Sequence, residues 1–156
     1  MTVIRELLHN PIFVSATAGW FVAQVLKIII EVLIQGKDFH FSRIAGSGGM
    51  PSSHSATVCA MVVAVAARYG FSGFEFPMAF FFAFIVLYDA RGVRRETGEQ
   101  AKAINAMIEW FEGHGKDIPG PDQFKELIGH SPLQVLVGSA LGIIIGFIVS
   151  AAYGLL

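Results

Sequence analysis

Apolar residues fall into four long runs separated by polar stretches, and helix-punctuating residues mark where they begin. The first run extends from Pro11 to Gln35, with Asn10 placed as an N-cap and Pro11 at the first helical position, where a missing N–H is harmless. The second covers about Ser53 to Tyr69. The third starts near Gly73 and passes through the phenylalanine-rich stretch from Met78 to Tyr88. The fourth opens on Ser131-Pro132, again a cap followed by proline, and continues to the C-terminus. A membrane-crossing helix needs roughly 20 mostly apolar residues. The pattern therefore predicts an all-α integral membrane bundle of about four transmembrane helices, in one domain over residues 1–156. Gly138, Gly142 and Gly146 form a small-residue stripe on the fourth run. Such a stripe serves close helix packing, either within one chain or in a homodimer.

Between the third and fourth runs lies a polar segment from Asp89 to His130. Ala101, Ile104, Ile108 and Phe111 recur there at helical spacing and predict an amphipathic helix. Gly113 to Pro121 reads as a loop and Asp122 to Ile128 as a short helix. The polar face of the amphipathic helix is mixed rather than basic. That favours packing on the bundle over lying on the membrane surface.

Composition agrees with a membrane protein. Hydrophobic residues make up 54% of the chain and charged residues only 15%, against about a quarter charged in soluble domains. A net charge of −1 gives no reason to expect a nucleic-acid partner. Cys59 is the only cysteine and sits in an apolar run, so it reads as a buried thiol with no internal disulfide. The first run is too long, and too polar in its second half, for a cleaved signal peptide, so it is retained. Lys37, Arg43, Arg91, Arg94, Arg95, Lys102, Lys116 and Lys125 fall on one side of the predicted membrane, and only Arg5 and Arg68 on the other. Positively charged loops stay inside. The expectation is a multi-pass protein of the cell membrane with these loops cytoplasmic and both termini outside.

Four spans also dictate which polar residues meet. The second run begins, the third ends and the fourth begins on one face, so His54, the Asp89–Arg95 cluster and His130 share it. Lys27 lies in the half of the first run that approaches the same face, accompanied by Gln24 and Glu31. Ionisable residues inside spans are expensive and usually functional. The segment from Gly48 to Ala56 adds a glycine-rich loop that leads into a helix start, with Ser52 or Ser53 as N-cap. Exposed N–H groups and the helix dipole make that a ready anion site.

Two histidines beside cations and a helix N-terminus suit phosphoryl transfer, in which positioning and charge stabilisation do most of the catalysis. One histidine can attack phosphorus while the other protonates the leaving alkoxide and then activates water. Zinc is a weaker use of the pair, because neither histidine has a cysteine partner or a second histidine three to five residues away.

Several blocks together resemble a known family. They are Ala23-Gln24 with Lys27, then Gly48 to Ala56, then Tyr88-Asp89-Ala90 with Gly92-Val93-Arg94-Arg95. Gly98, Gln100-Ala101 and Gly129-His130-Ser131-Pro132 complete the set. In order and spacing the chain resembles the type 2 phosphatidic acid phosphatase and vanadium haloperoxidase superfamily, in its small divergent bacterial and plastid branch. The run Met50-Pro51-Ser52-Ser53-His54 is the most specific part. The resemblance implies that His130 is the nucleophile and His54 the general acid, with Ser52 and the Ser53 N–H on phosphate oxygens. Four departures stand out, one being that Lys27 and Arg43 are too far apart for the normal spacing of the family's first motif. Ser53 replaces a glycine, Gln134 replaces the aspartate that orients the nucleophile, and Phe124 stands where an arginine is expected.

Arg94 or Arg95 must then supply the missing charge. Arg95 has Glu99 four residues on, whereas Arg94 faces only Ala90 and Gly98, which makes Arg94 the better catalytic candidate. Lys27 is assigned to phosphate in preference to Glu31, since the acid-before-base order that helices favour is reversed. Arg43 touches phosphate or lipid headgroups. Asp89 pairs with an arginine or with Lys27, a magnesium ligand being the less favoured role. No cofactor is otherwise implied. The expected activity is hydrolysis of a lipid phosphate: phosphatidylglycerophosphate, phosphatidate or an isoprenyl phosphate. A catalytically silent lipid-phosphate binding or transport protein is the alternative.

Overall fold

The computed structural model of the protein describes residues 2–34, 49–115, 124 and 130–156, and every regular element among them is helical. Helix α1 spans Thr2–Leu8 and α2 spans Pro11–Ile29, continuing as a π-helical turn over Ile30–Ile34. Then come α3, Ser53–Tyr69, and α4, Glu75–Arg91. Helix α5 covers Val93–Gly113 and α6 covers Pro132–Ala152. The caps act where the sequence puts them. The Asn10 side chain accepts from the N–H groups of Ile12 and Phe13, and Ser52 accepts from Ser55.

Helix α3 is the axis of the bundle, in contact with α2, α4 and α6. It can be so because its inner positions are small: Ala56, Ala60 and Ala64 are fully buried. The neighbours are small too. A methyl group on Gly19 of α2 would lie 2.8 Å from the Ala56 carbonyl oxygen, and one on Gly142 of α6 would collide with that same oxygen. Gly138 meets the Ser52 backbone and Gly146 meets Val63 in the same way. The glycine stripe is therefore spent inside the chain, on α3. Backbones this close gain dispersion contacts that bulkier residues would prevent.

Large apolar side chains point the other way. Phe80, Phe81, Phe84 and Ile85 of α4 are exposed, as are Ile144, Phe147 and Ile148 of α6, while Ala79, Ala83 and Ala90 turn inward. An apolar patch of this extent is foreign to a soluble monomer and normal against lipid. Among the described residues three helical stretches are long and apolar enough to cross a membrane: Pro11–Val32, Glu75–Gly113 and Pro132–Ala152. Helix α3, at 17 residues, is shorter, so length alone does not establish the count of four.

Two local expectations change. Helix α1 was not foreseen, because seven residues are too few to display a period; none of them is buried. In α5 the inward row is Gly98, Ala101 and Asn105, so Ile104 is exposed, and among the described residues α5 packs against α4 of the bundle. Gln35, Lys37, Arg43, the loop over 116–121 and the short helix expected over 122–128 lie outside the described residues, apart from Phe124.

Replacing Gly142 with valine should prevent correct assembly of α3 with α6, since overpacking a tight contact costs about 1–3 kcal/mol and backbone cannot retreat. Gly113→Ala, where a methyl group meets nothing within 4 Å, should melt at or slightly above the wild-type temperature. Thermal unfolding in detergent checks both.

Candidate functional site

Four elements end or pass at the same place, and backbone hydrogen bonds fasten three of them. The Ser52 N–H, at the start of α3, donates to the Gln134 carbonyl in the first turn of α6 at 3.1 Å. The His130 N–H donates to the Ala90 carbonyl in the last turn of α4 at 3.2 Å. The fourth element is α2. Gly49, in the loop leading into α3, has φ +84° and lies directly on it: a Cβ there would fall 2.6 Å from Lys27 Cε and 2.7 Å from a Glu31 carboxylate oxygen. Glycine is the residue that tolerates both the left-handed backbone and the close approach. Lys27 is only 4% exposed beneath that loop, and the π-turn that follows carries Glu31. Such turns recur at functional sites.

The two histidines meet at this junction. Their ring centroids are 5.9 Å apart, edge to face with an interplanar angle of 60°. His54 sits in the first turn of α3 and is exposed, whereas His130 is only 4% exposed. Gln134 orients His130. Its Oε1 accepts from the Ser131 N–H at 3.0 Å and faces His130 Nδ1 at 3.2 Å, while Ser131 Oγ accepts from the Gln134 N–H at 3.3 Å. This is a capping box. A backbone N–H can only donate, so the amide atom facing it is the oxygen. The same oxygen faces Nδ1, so Nδ1 must carry a proton and the neutral ring keeps its lone pair on Nε2.

Other sequence-assigned residues fall around this pair. Ser52 is fully buried, and its Oγ accepts from the Ser55 N–H at 3.3 Å and the Ser55 hydroxyl at 3.0 Å. The hydroxyl expected on phosphate is thus engaged in capping α3. Ser53 is buried as well, and its carbonyl accepts from the Thr57 hydroxyl. Asp89 is partly buried one residue before the Ala90 carbonyl that holds His130. Glu99, expected opposite Arg95, pairs with Lys102 at 3.0 Å. Arg43 and the side chains of Arg94 and Arg95 lie outside what is described. Among the described residues no group of three His, Cys, Asp or Glu side chains gathers as a metal site.

Two contributors escaped the sequence reading. Asn105 grips the backbone of Phe124, accepting from its N–H at 2.8 Å and donating to its carbonyl at 2.9 Å. It holds the chain six residues before His130. The Ala90 carbonyl is the other, and a backbone group carries no sequence signal.

Residues 8–145 match the family model described as the Divergent PAP2 family. The chain is also 37% identical over 154 residues to the uncharacterized membrane protein YuiD of Bacillus subtilis (strain 168), covering 93% of this chain and 97% of that one. No solved structure matches it. With its apolar helices, the chain is a membrane protein.

The Gln134 contact has a spectroscopic consequence. Nitrogen-15 NMR of neutral His130 should show the Nδ1–H tautomer, and Gln134→Leu should lose that preference together with about 1 kcal/mol of stability from the lost bond between the Ser131 N–H and the Gln134 amide oxygen. An Nε2–H tautomer in the wild-type protein would contradict the geometry.

Proposed function

The chain belongs to the divergent PAP2 family, and on that footing we propose that it is a membrane lipid-phosphate phosphatase working through a phosphohistidine at the cytoplasmic face of the cell membrane. The observation that carries the proposal is the histidine pair at 5.9 Å where the helix ends converge. At that spacing one phosphoryl group comes within reach of both rings.

His130 Nε2 attacks phosphorus, forming the N–P bond as the P–O bond to the alcohol breaks. His54, as imidazolium, gives its proton to the departing alkoxide. The neutral His54 then takes a proton from water, the water oxygen bonds to phosphorus, and the N–P bond breaks to release phosphate. His54 ends protonated and His130 neutral, ready for another cycle. Lys27, Arg94 and Arg95, with Arg43, are the cations proposed to offset charge on the phosphoryl oxygens, and N–H groups at the start of α3, including that of Ser53, supply further donors.

The membrane setting supports a lipid substrate. A headgroup can reach the helix ends while its chains remain beside the exposed phenylalanines of α4. Phosphatidylglycerophosphate, phosphatidate and isoprenyl phosphates satisfy that requirement. One observation favours the second reading, a silent lipid-phosphate binding or transport protein: Gln134 orients His130 with a neutral amide, which stabilises the imidazolium of a phosphohistidine less than a carboxylate would.

Purified protein assayed on a panel of lipid phosphates separates the two readings. His130→Ala should abolish turnover of every substrate. His54→Ala should slow lipid phosphate hydrolysis by about 10²–10⁴-fold, the usual worth of general acid catalysis, but slow an activated aryl phosphate far less, because that leaving group needs no proton. Equal loss on both substrates, in folded protein, would remove the acid role from His54. Lipid phosphate binding without turnover in the wild type would establish the silent reading.

A further inference from the structure

Helix α5 has three distinct sides. One is buried, with Gly98, Ala101 and Asn105, whose amide pins Phe124. The second is charged, carrying the Glu99–Lys102 ion pair and Glu109. The third, over the C-terminal half of the helix and beyond Glu96 and Gln100 in the same sector, is apolar and uncovered: Ile104 is 41% exposed, Met107 61% and Trp110 59%. Phe111 joins them, its ring edge-to-face with Trp110 at 5.1 Å. At 3.6 residues per turn these four positions occupy about a third of the circumference.

What precedes α5 says what covers this face. The lipid-facing surface of α4 continues down to the exposed Tyr88, and α4 runs into α5 with a single break at Gly92 (φ −93°, ψ −85°). Helix α5 therefore starts at the membrane boundary, at the end of the bundle where the histidines lie. It does not itself suit the hydrocarbon core, because it carries Arg94, Arg95 and Lys102 against Glu96, Glu99, Glu109 and Glu112. An amphipathic helix delivered to the boundary lies along it, and tryptophan is the residue most at home at headgroup depth.

We propose that α5 is an interfacial helix whose Ile104–Met107–Trp110–Phe111 face rests in the headgroup–acyl boundary of the bilayer beside the site. The near balance of charge along α5 as a whole makes insertion apolar in origin, so anionic lipid adds little. The proposal needs only a membrane-spanning chain and stands whether or not the site hydrolyses phosphate.

Trp20 and Trp110 are the two tryptophans, so Trp20→Phe isolates Trp110. In full-length protein reconstituted into phosphatidylcholine vesicles, bromine near the headgroup end of the acyl chain should quench Trp110 more than bromine placed deeper. Aqueous iodide should quench it weakly, and added phosphatidylglycerol should leave both results unchanged. Quenching by iodide but not by bromolipid would overturn the proposal, as would a maximum at the deepest bromine, which means a spanning helix. Protection from both quenchers would mean protein covers the face and would overturn it too. Cross-linking of Met107→Cys between copies would then identify a second chain. A nitroxide on Met107→Cys, read by its relative accessibility to oxygen and to a water-soluble nickel chelate, gives the depth without altering Trp20.

Discussion

The Ala56 carbonyl lies between two glycines, Gly19 of α2 and Gly142 of α6, and neither could carry even one more carbon without crowding it. That triple backbone contact fixes where the first two turns of α3 sit relative to both neighbours. Two residues earlier on the same helix is His54. Sliding α6 along α3 would break the Ser52–Gln134 hydrogen bond and the glycine contacts together, so the register is held at several points. The histidines meet because these backbone contacts set where the helices begin relative to one another.

Gln134 shows how one residue serves structure and chemistry at once. Its amide oxygen completes the capping box of α6 and also accepts a hydrogen bond from the His130 Nδ1–H. Ser52 is the counterpart on α3, its hydroxyl closing the first turn from a fully buried position. Both helices therefore begin rigidly, with histidines at fixed positions next to their caps. A carboxylate in place of Gln134 would strengthen the proton contact and add a charge to a buried junction. The amide keeps the orientation and gives up the charge.

Much of this was legible in the sequence because its causes are local. Ser52 caps α3 and Ser131-Pro132 opens α6, so these helix starts followed from capping rules. The convergence of His54, Asp89 and His130 followed from counting spans, since an antiparallel bundle returns alternate ends to one face. What stayed hidden depends on tertiary partners. The glycine stripe suited an internal or an external helix equally well, and only its contact with Ser52, Ala56 and Val63 assigns it to α3. Asn105 turned the buried face of α5 away from Ile104 because a polar side chain found two backbone partners at Phe124, which a hydrophobic period cannot register. In the sequence Gly49 belonged to the glycine-rich loop of the expected anion site. Its contact with Lys27 and Glu31 makes it the point where the α3 loop rests on α2.

The most direct measurement is to trap the covalent intermediate. Protein mixed rapidly with a lipid substrate labelled at its terminal phosphate, then quenched in base, should carry label that is stable to alkali and released by acid, the signature of a phosphoramidate. Peptide mapping should place it on His130. Phosphate release with no labelled protein at any quench time, or label on His54 or a serine, would contradict the assignment of His130 as the group that attacks phosphorus.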